Sequence, residues 1–398
     1  MKQSILLNGE TSGNVPLLIK GQGVFIFSTE SVETCSFNFQ DETGETGITF
    51  EFSPKHIHAA QFSQNKSKNL KCKDCKSGLS KKAGAYYWVS LDSKNQRLYA
   101  GIGEPRLETM VFQYEYTSED KKRDKIKKFL ESLSEICVLE ASKTIITPLK
   151  LLRDPITHKI PIIVKETDSL SMGDIASCKY LPKATLPLIS QKLHQCISGK
   201  KFTLDDDDFP EFTKAIEHSI ATPGMWCHET LKKKSTEFNK KKPNLAETYL
   251  RITLGQNNGE SPGVPYVMEI WPVGHYSPVH NHGDSHAIIR VLHGKINVKL
   301  FPFLCSDPKG VEPFSTVTVN KDDVTWISPT LNQVHQLHNL EENTETCITI
   351  QCYMYGDENK THYDYFDYLD NKGKIKQFEP DSDMDFIQFR ELIKKERG

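Results

Sequence analysis

The run from Trp271 to Leu300 constrains this chain more than any other stretch, because His280 and His282 stand two residues apart and the sequence after them alternates apolar and polar. Side chains of an extended strand point to alternate faces, so His280 and His282 project from the same face and can grip one ion. Ala287-Ile-Ile-Arg-Val-Leu292 reads as a strand ending at a Gly294 turn, and Lys295-Ile-Asn-Val-Lys-Leu300 as its hairpin partner. A lone His-x-His in a strand is also ordinary surface sequence, and two imidazoles hold a transition metal poorly. A metal site therefore requires a third ligand from a distant strand. Thr325-Trp-Ile-Ser-Pro-Thr-Leu-Asn-Gln-Val-His335 supplies it, as a short strand, a proline-containing turn and a second strand starting near Val334. Thr346 to Tyr355 is a further β-rich run. The three nitrogens should converge to within about 3 to 4 Å of one another, as ligands of a common metal must. His338, an odd offset from His335, faces away and is not expected to be a ligand.

These residues resemble the two motifs of the cupin superfamily, and their wording resembles one branch of it, the cysteine dioxygenases. Trp271, Gly274-His275, His280-x-His282, Ser285-His286, Gly294, and His335 followed by Asn339 carry the resemblance, which spans about 186 to 370, nearly half of the chain. It implies a double-stranded β-helix, or jelly-roll barrel, preceded by helices. The glutamate usual in cupins is missing, since His286 and Ala287 occupy its place. The implied metal is thus Fe(II) held by three neutral imidazoles, His280, His282 and His335, with room for an anionic thiolate and O2.

Glu247 to Leu254 reads as a strand in which Tyr249 and Arg251 share a face, and an arginine pointing into a small barrel is costly unless an anion meets it. The resemblance gives Arg251, with Tyr249, the task of gripping the substrate carboxylate, for which a guanidinium fork is suited. It assigns Tyr355 as the tyrosine that hydrogen-bonds the reacting oxygens. Two departures stand beside it. Ala287 replaces the cysteine that crosslinks to that tyrosine in mammalian-type enzymes, and Gln351 and Tyr353 replace the serine and histidine that orient it.

With 398 residues, two domains are expected. A net charge of -2 gives no reason to propose nucleic acid or an anionic membrane as partner. No apolar run is long enough to span a bilayer and the N-terminus lacks a signal-peptide core, so a soluble cytoplasmic protein is expected. Ten scattered cysteines fit reduced thiols, and Cys72-Lys-Asp-Cys75 reads as a lysine-rich loop.

The fold expected is mainly β. Residues 1–117 form a sandwich-like module of short aromatic strands at 24–27, 35–39, 47–52, 86–91, 97–103 and 110–116. Tyr87 to Asp92 with Ala100 to Glu104 weakly resembles the sandwich modules named after farnesoic acid methyltransferase. His56 and His58 read as strand residues, and Gly101-x-Gly103 as a strand-end turn. Residues 118–185 read as a connector. It opens with an amphipathic helix bearing Ile126, Phe129, Leu130, Leu133 and Ile136 on one face and continues as a stretch punctuated by Pro148, Pro155, Pro161 and Pro182. Residues 186–398 form the barrel domain, entered by helices near 186–197 and after the aspartates of 205–208, with a solvated basic loop from Lys232 to Lys242.

The function expected is Fe(II)-dependent oxidation of L-cysteine by O2 to cysteine sulfinic acid, a step of cysteine catabolism. A 3-mercaptopropionate or cysteamine-type dioxygenase remains open, though Arg251 argues against cysteamine, which has no carboxylate. So does a catalytically degenerate metal-binding cupin whose N-terminal module recognises a partner or glycan.

Overall fold

The computed structural model describes residues 4–7, 13–64, 66–72, 78–79, 85–116, 120–255, 265–306, 311–355 and 366–397. The chain divides into two units, Met1–Lys159 and Ile160–Gly398.

In the first unit the six expected strands are present as Gln22–Ser28, Cys35–Gln40, Thr46–Phe52, Tyr86–Asp92, Arg97–Ile102 and Met110–Glu115, within two six-stranded sheets. Alternation turns one set of side chains inward, and that set is aromatic. Phe25 stands edge-on to Phe37 of the other sheet with ring centroids 5.0 Å apart, and Phe27 meets Phe52 in the same way at 5.0 Å. Such contacts add roughly 0.5 to 1.5 kcal/mol each beyond the area buried. The result is a sandwich closed by rings.

The expected boundary at 117 and the 118–185 connector do not survive. Glu135–Val138 pairs with Cys35–Gln40 and Thr147–Leu152 with Gln22–Ser28, so both strands belong to the sandwich. Ile163–Lys165 pairs with Val324–Ile327 and belongs to the second unit. The prolines mislead because two of them sit where strands tolerate them. Pro148 adjoins a register irregularity, and Pro182 ends an edge strand. Ile136, placed by helical spacing on the face of Asp120–Ser132, lies in a strand instead. Among the cysteines, eight are free thiols. Cys72 is disulfide-bonded, against the expectation of reduced thiols throughout, and Cys75 lies outside the described residues.

The second unit is a double-stranded β-helix. One sheet runs, in spatial order, Tyr180–Pro182, Ile163–Lys165, Val324–Ile327, His286–His293, Cys347–Met354, Tyr266–Trp271, Leu250–Leu254 and Met384–Asp385; the other runs Ser315–Asn320, Lys295–Leu300 and His335–His338. The expected hairpin between 287–292 and 295–300 is therefore wrong. His286–His293 pairs with Val324–Ile327 and Cys347–Met354, whereas Lys295–Leu300 pairs with Ser315–Asn320 and His335–His338. Gly294 is where the chain passes from one sheet to the other. Its φ is +67°, and a Cβ there would lie 2.6 Å from the Thr346 carbonyl oxygen.

Alternation decides which residues face the lumen. Leu250, Ile252, Met268, Ile270 and Ile348 turn outward into a core built with Phe212 and Ile216 of helix Phe212–Ala221 and Phe389 and Ile393 of helix Phe386–Glu396. Ile288, Ile350 and Cys352 meet Leu193 and Ile197 of helix Leu188–Ile197. The alternate residues Tyr249, Arg251, Glu269, Trp271, Thr349 and Gln351 line the lumen. The apolar face of this sheet thus packs on helices, leaving its polar face for the interior. The N-cap residue of helix Phe212–Ala221, Glu211, makes no side-chain cap bond, but Asp205 accepts from the Thr213 amide at 2.8 Å and so serves the first turn. The basic stretch is only partly solvated: Lys234 pairs with Asp383 at 2.9 Å, and Phe238 is buried against Tyr368.

Candidate metal centre

His280 and His335 are brought together by backbone. Each donates its N–H to the other's carbonyl at 3.0 Å, the reciprocal pair of an antiparallel bridge. His282 lies beyond the bridge, and Gln333 holds it there by accepting from the His282 amide at 3.3 Å while donating to the Ser285 and Ser328 carbonyls at 2.9 and 2.7 Å. His-x-His thus keeps its shared face, in an extended segment rather than a regular strand.

The three rings converge. Nε2 of His282 lies 3.2 Å from Nε2 of His335, and one nitrogen from each of the three histidines falls within 4.8 Å of the others. Two nitrogens each about 2.1 Å from a common ion at ordinary ligand angles stand ~3.0 to 3.4 Å apart, so the closest pair has the spacing of metal ligands. Nδ1 of His280 faces the Pro278 carbonyl at 3.0 Å and Nδ1 of His335 faces the Asn332 carbonyl at 3.1 Å. Those bonds place the proton on Nδ1 and leave Nε2 free as a ligand atom. Burial holds His280 down to about 4 and His335 down to about 3, with His282 well below the ordinary histidine range. All three are therefore neutral near pH 7, and a cation does not compete with protons. The donor set, three neutral nitrogens, fits a divalent transition metal.

His338 stands apart from the cluster, its ring edge-on to Tyr276 and its Nε2 3.7 Å from Glu341. His275 bonds the Thr248 carbonyl through Nδ1, and His286 bonds Ser190.

A cavity of about 50 Å³ adjoins the three histidines, room for about four waters. Tyr249 and Arg251 line it, as their shared parity requires, and Tyr249 stacks on Trp271 with centroids 4.2 Å apart. The anion that meets Arg251 is part of the protein. Glu269 stands directly opposite in the antiparallel pair, and Arg251 Nη1 donates to its Oε1 at 2.8 Å. The other Glu269 oxygen accepts from the Gln351 amide, and Gln351 in turn accepts from the Tyr353 hydroxyl. Burial pushes the Glu269 carboxyl up, and the guanidinium against it acts in the opposite direction.

Tyr355 follows the end of strand Cys347–Met354, is half-buried and is not among the cavity-lining residues. Tyr353, likewise not among the cavity-lining residues, is buried with its ring stacked on His282 at a centroid distance of 5.5 Å. It also stands opposite Ala287 in the strand register. Sequence reasoning missed Glu269, Gln351 and Tyr353 as a connected set. The available signal was parity: Glu269 shares a face with Trp271, and Gln351 shares one with Tyr353.

No family model matches the chain. Cysteine dioxygenase type 1 of Rattus norvegicus is 22% identical over 175 residues, covering 44% of this chain and 76% of that protein. The Danio rerio protein of the same name is 24% identical over 172 residues, 42% and 74% of the two chains. A solved cupin domain from an XRE family transcriptional regulator of Enterobacter cloacae covers 27% of this chain and 97% of its own at 13% identity, with a TM-score of 0.21. The second unit is a double-stranded β-helix barrel with a candidate three-histidine metal site, and part of the chain is similar in sequence to cysteine dioxygenase type 1. Among the described residues, no helix is long and apolar enough to cross a membrane.

Proposed function

We propose that the barrel is an Fe(II)-dependent thiol dioxygenase that converts a small thiol and O2 to a sulfinic acid. The observation that carries this reading is the convergence of His280, His282 and His335, neutral and without a carboxylate partner, beside a cavity of small-molecule size. Fe(II) bound there would supply the one-electron chemistry through which a thiolate and O2 react. Both oxygen atoms enter the product, so the thiol is the only reductant consumed.

The chain's own residues account for the rest. The Pro278 and Asn332 carbonyls fix the ring orientation of two ligands. Trp271, Val298 and Leu337 wall the cavity with apolar surface that limits water. The Tyr353 ring stacks on His282, and its hydroxyl, which donates to Gln351, could instead donate a hydrogen bond to a reacting oxygen. Cysteine is the thiol to which the relatives' name points. The reaction class rests on the histidines, whereas the choice among cysteine, 3-mercaptopropionate and cysteamine rests on Arg251 and Glu269. Iron-loaded protein incubated with each thiol should consume O2 and form sulfinate with at least one of them. Iron bound at the site with no thiol-dependent O2 uptake from any would reject the reading.

A further inference from the structure

The grip on a substrate carboxylate expected of Arg251 is already filled from within. Arg251 and Glu269 are cross-strand neighbours, their side chains 9% and 6% exposed, joined at 2.8 Å. The Tyr353 hydroxyl is also hydrogen-bonded to the guanidinium. Of the guanidinium donors, Nε is buried and has no partner. The guanidinium carries five N–H donors, of which Glu269 and Tyr353 account for two, so what opposes a second carboxylate is the charge already neutralised by Glu269 rather than a lack of donors.

A substrate carboxylate drawn to Arg251 would either meet the Glu269 carboxylate as a like charge in a poorly solvated space or displace it. Displacement would strand a buried anion that the Gln351 amide alone would hold. An ammonium group meets the opposite situation. Glu269 accepts a bond on each oxygen, from Arg251 and from Gln351, while a carboxylate has about four lone-pair positions. The carboxylate therefore keeps capacity toward the lumen that it helps to line. The protein charges around the cavity also sum to zero, one guanidinium against one carboxylate with neutral imidazoles, so nothing beyond the metal calls for an anionic tail.

We propose that this cavity selects a thiol that carries an amine and no free carboxylate, and that Glu269 is the residue that sets the choice. The inference rests on the thiol dioxygenase reading and reverses the expectation drawn from Arg251 alone. Glu269 acts by two routes, compensating Arg251 and presenting an acceptor to a cationic group, which is exclusion of one substrate class together with attraction of another.

The test compares cysteamine with cysteine on the iron-loaded full chain, as kcat/KM for sulfinate formation, in wild type and Glu269→Gln. A second arm is calorimetric titration of zinc-loaded protein with the same two thiols, since zinc accepts the same ligands without redox chemistry. Wild type should favour cysteamine by about tenfold or more in both arms, a difference of about 1.4 kcal/mol. Glu269→Gln, which keeps a hydrogen-bonding oxygen and removes the charge, should shift the ratio toward cysteine by about tenfold. Wild-type preference for cysteine in the binding arm, or a ratio unchanged by Glu269→Gln in a folded variant, would overturn the proposal. If Glu269→Gln does not fold, the wild-type ratio decides. Absence of O2 uptake with both thiols would reject the dioxygenase reading, and the zinc arm would still decide the selectivity.

Discussion

In the sandwich, Arg106 lies 3.4 Å from Glu104 and 3.2 Å from Glu108, and all three charges come from one short turn. In the barrel, Arg251 meets Glu269 across two strands that are 18 residues apart at that point. Both arginines are buried, and burial of a charge requires a partner in each case. The surroundings differ. The sandwich pair sits beside Thr109, which accepts from the Trp88 indole at 3.3 Å, in a unit whose core is aromatic rings. The barrel pair lines a cavity shared with three neutral imidazoles and leaves Arg251 Nε and His282 Nδ1 without partners. An ion pair closed by its own turn stabilises that turn. One assembled from separate strands around open space, with donors left over, is suited to receive a ligand.

The largest expected effect separating the two regions concerns the metal. His335→Gln should abolish iron binding and His338→Gln should leave it nearly intact, as read by metal content of the purified variants. Equal losses would mean that the cluster is not the binding site. Next come the two arginines. Arg251→Ala and Arg106→Ala each strand a buried carboxylate and should each cost about 3 to 5 kcal/mol in urea unfolding of its own unit. Only Arg251→Ala should also change the ratio of turnover on two thiols. A matching change from Arg106→Ala would erase the distinction between the two arginines.

The smallest effect is a pH dependence. Unfolded histidines take up protons near ~6.5, whereas in the folded barrel His280 does so only near 4 and His335 near 3. Because the unfolded chain binds these protons first, the metal-free barrel should lose stability as pH falls below about 6.5. The slope is up to roughly 1.4 kcal/mol per pH unit for each histidine and levels off once the folded values are passed. His280→Gln should flatten that slope in the metal-free protein, measured as Tm against pH. Among the described residues the sandwich core has no buried histidine, and amide exchange of its central strands should not follow the same curve.

Much of this was legible in the sequence, and what was not has identifiable physical causes. Parity along single strands is local, so the shared face of His280 and His282, the inward Arg251 and the six aromatic strands could be read directly. Strand pairing is not local. The hairpin expected after Gly294 failed because each barrel strand pairs with partners distant in sequence. The same limit hid Glu269, whose opposition to Arg251 depends on which strand lies alongside. Tyr355 has the correct parity to share a face with Tyr353 but lies past the end of its strand. The strands Glu135–Val138 and Thr147–Leu152 were obscured by prolines and charged neighbours, and the aromatic core that recruits them comes from residues a hundred positions away.

The proposed function requires that both atoms of O2 enter the thiol at a site where His280, His282 and His335 would hold the metal. It is tested most directly by mass spectrometry of the product formed by iron-loaded protein from a thiol and 18O2. The expected product is a sulfinate carrying two labelled oxygens, with one O2 consumed per thiol and loss of that product in His335→Gln. Iron-loaded protein that yields only disulfide, or sulfinate without label, would contradict it.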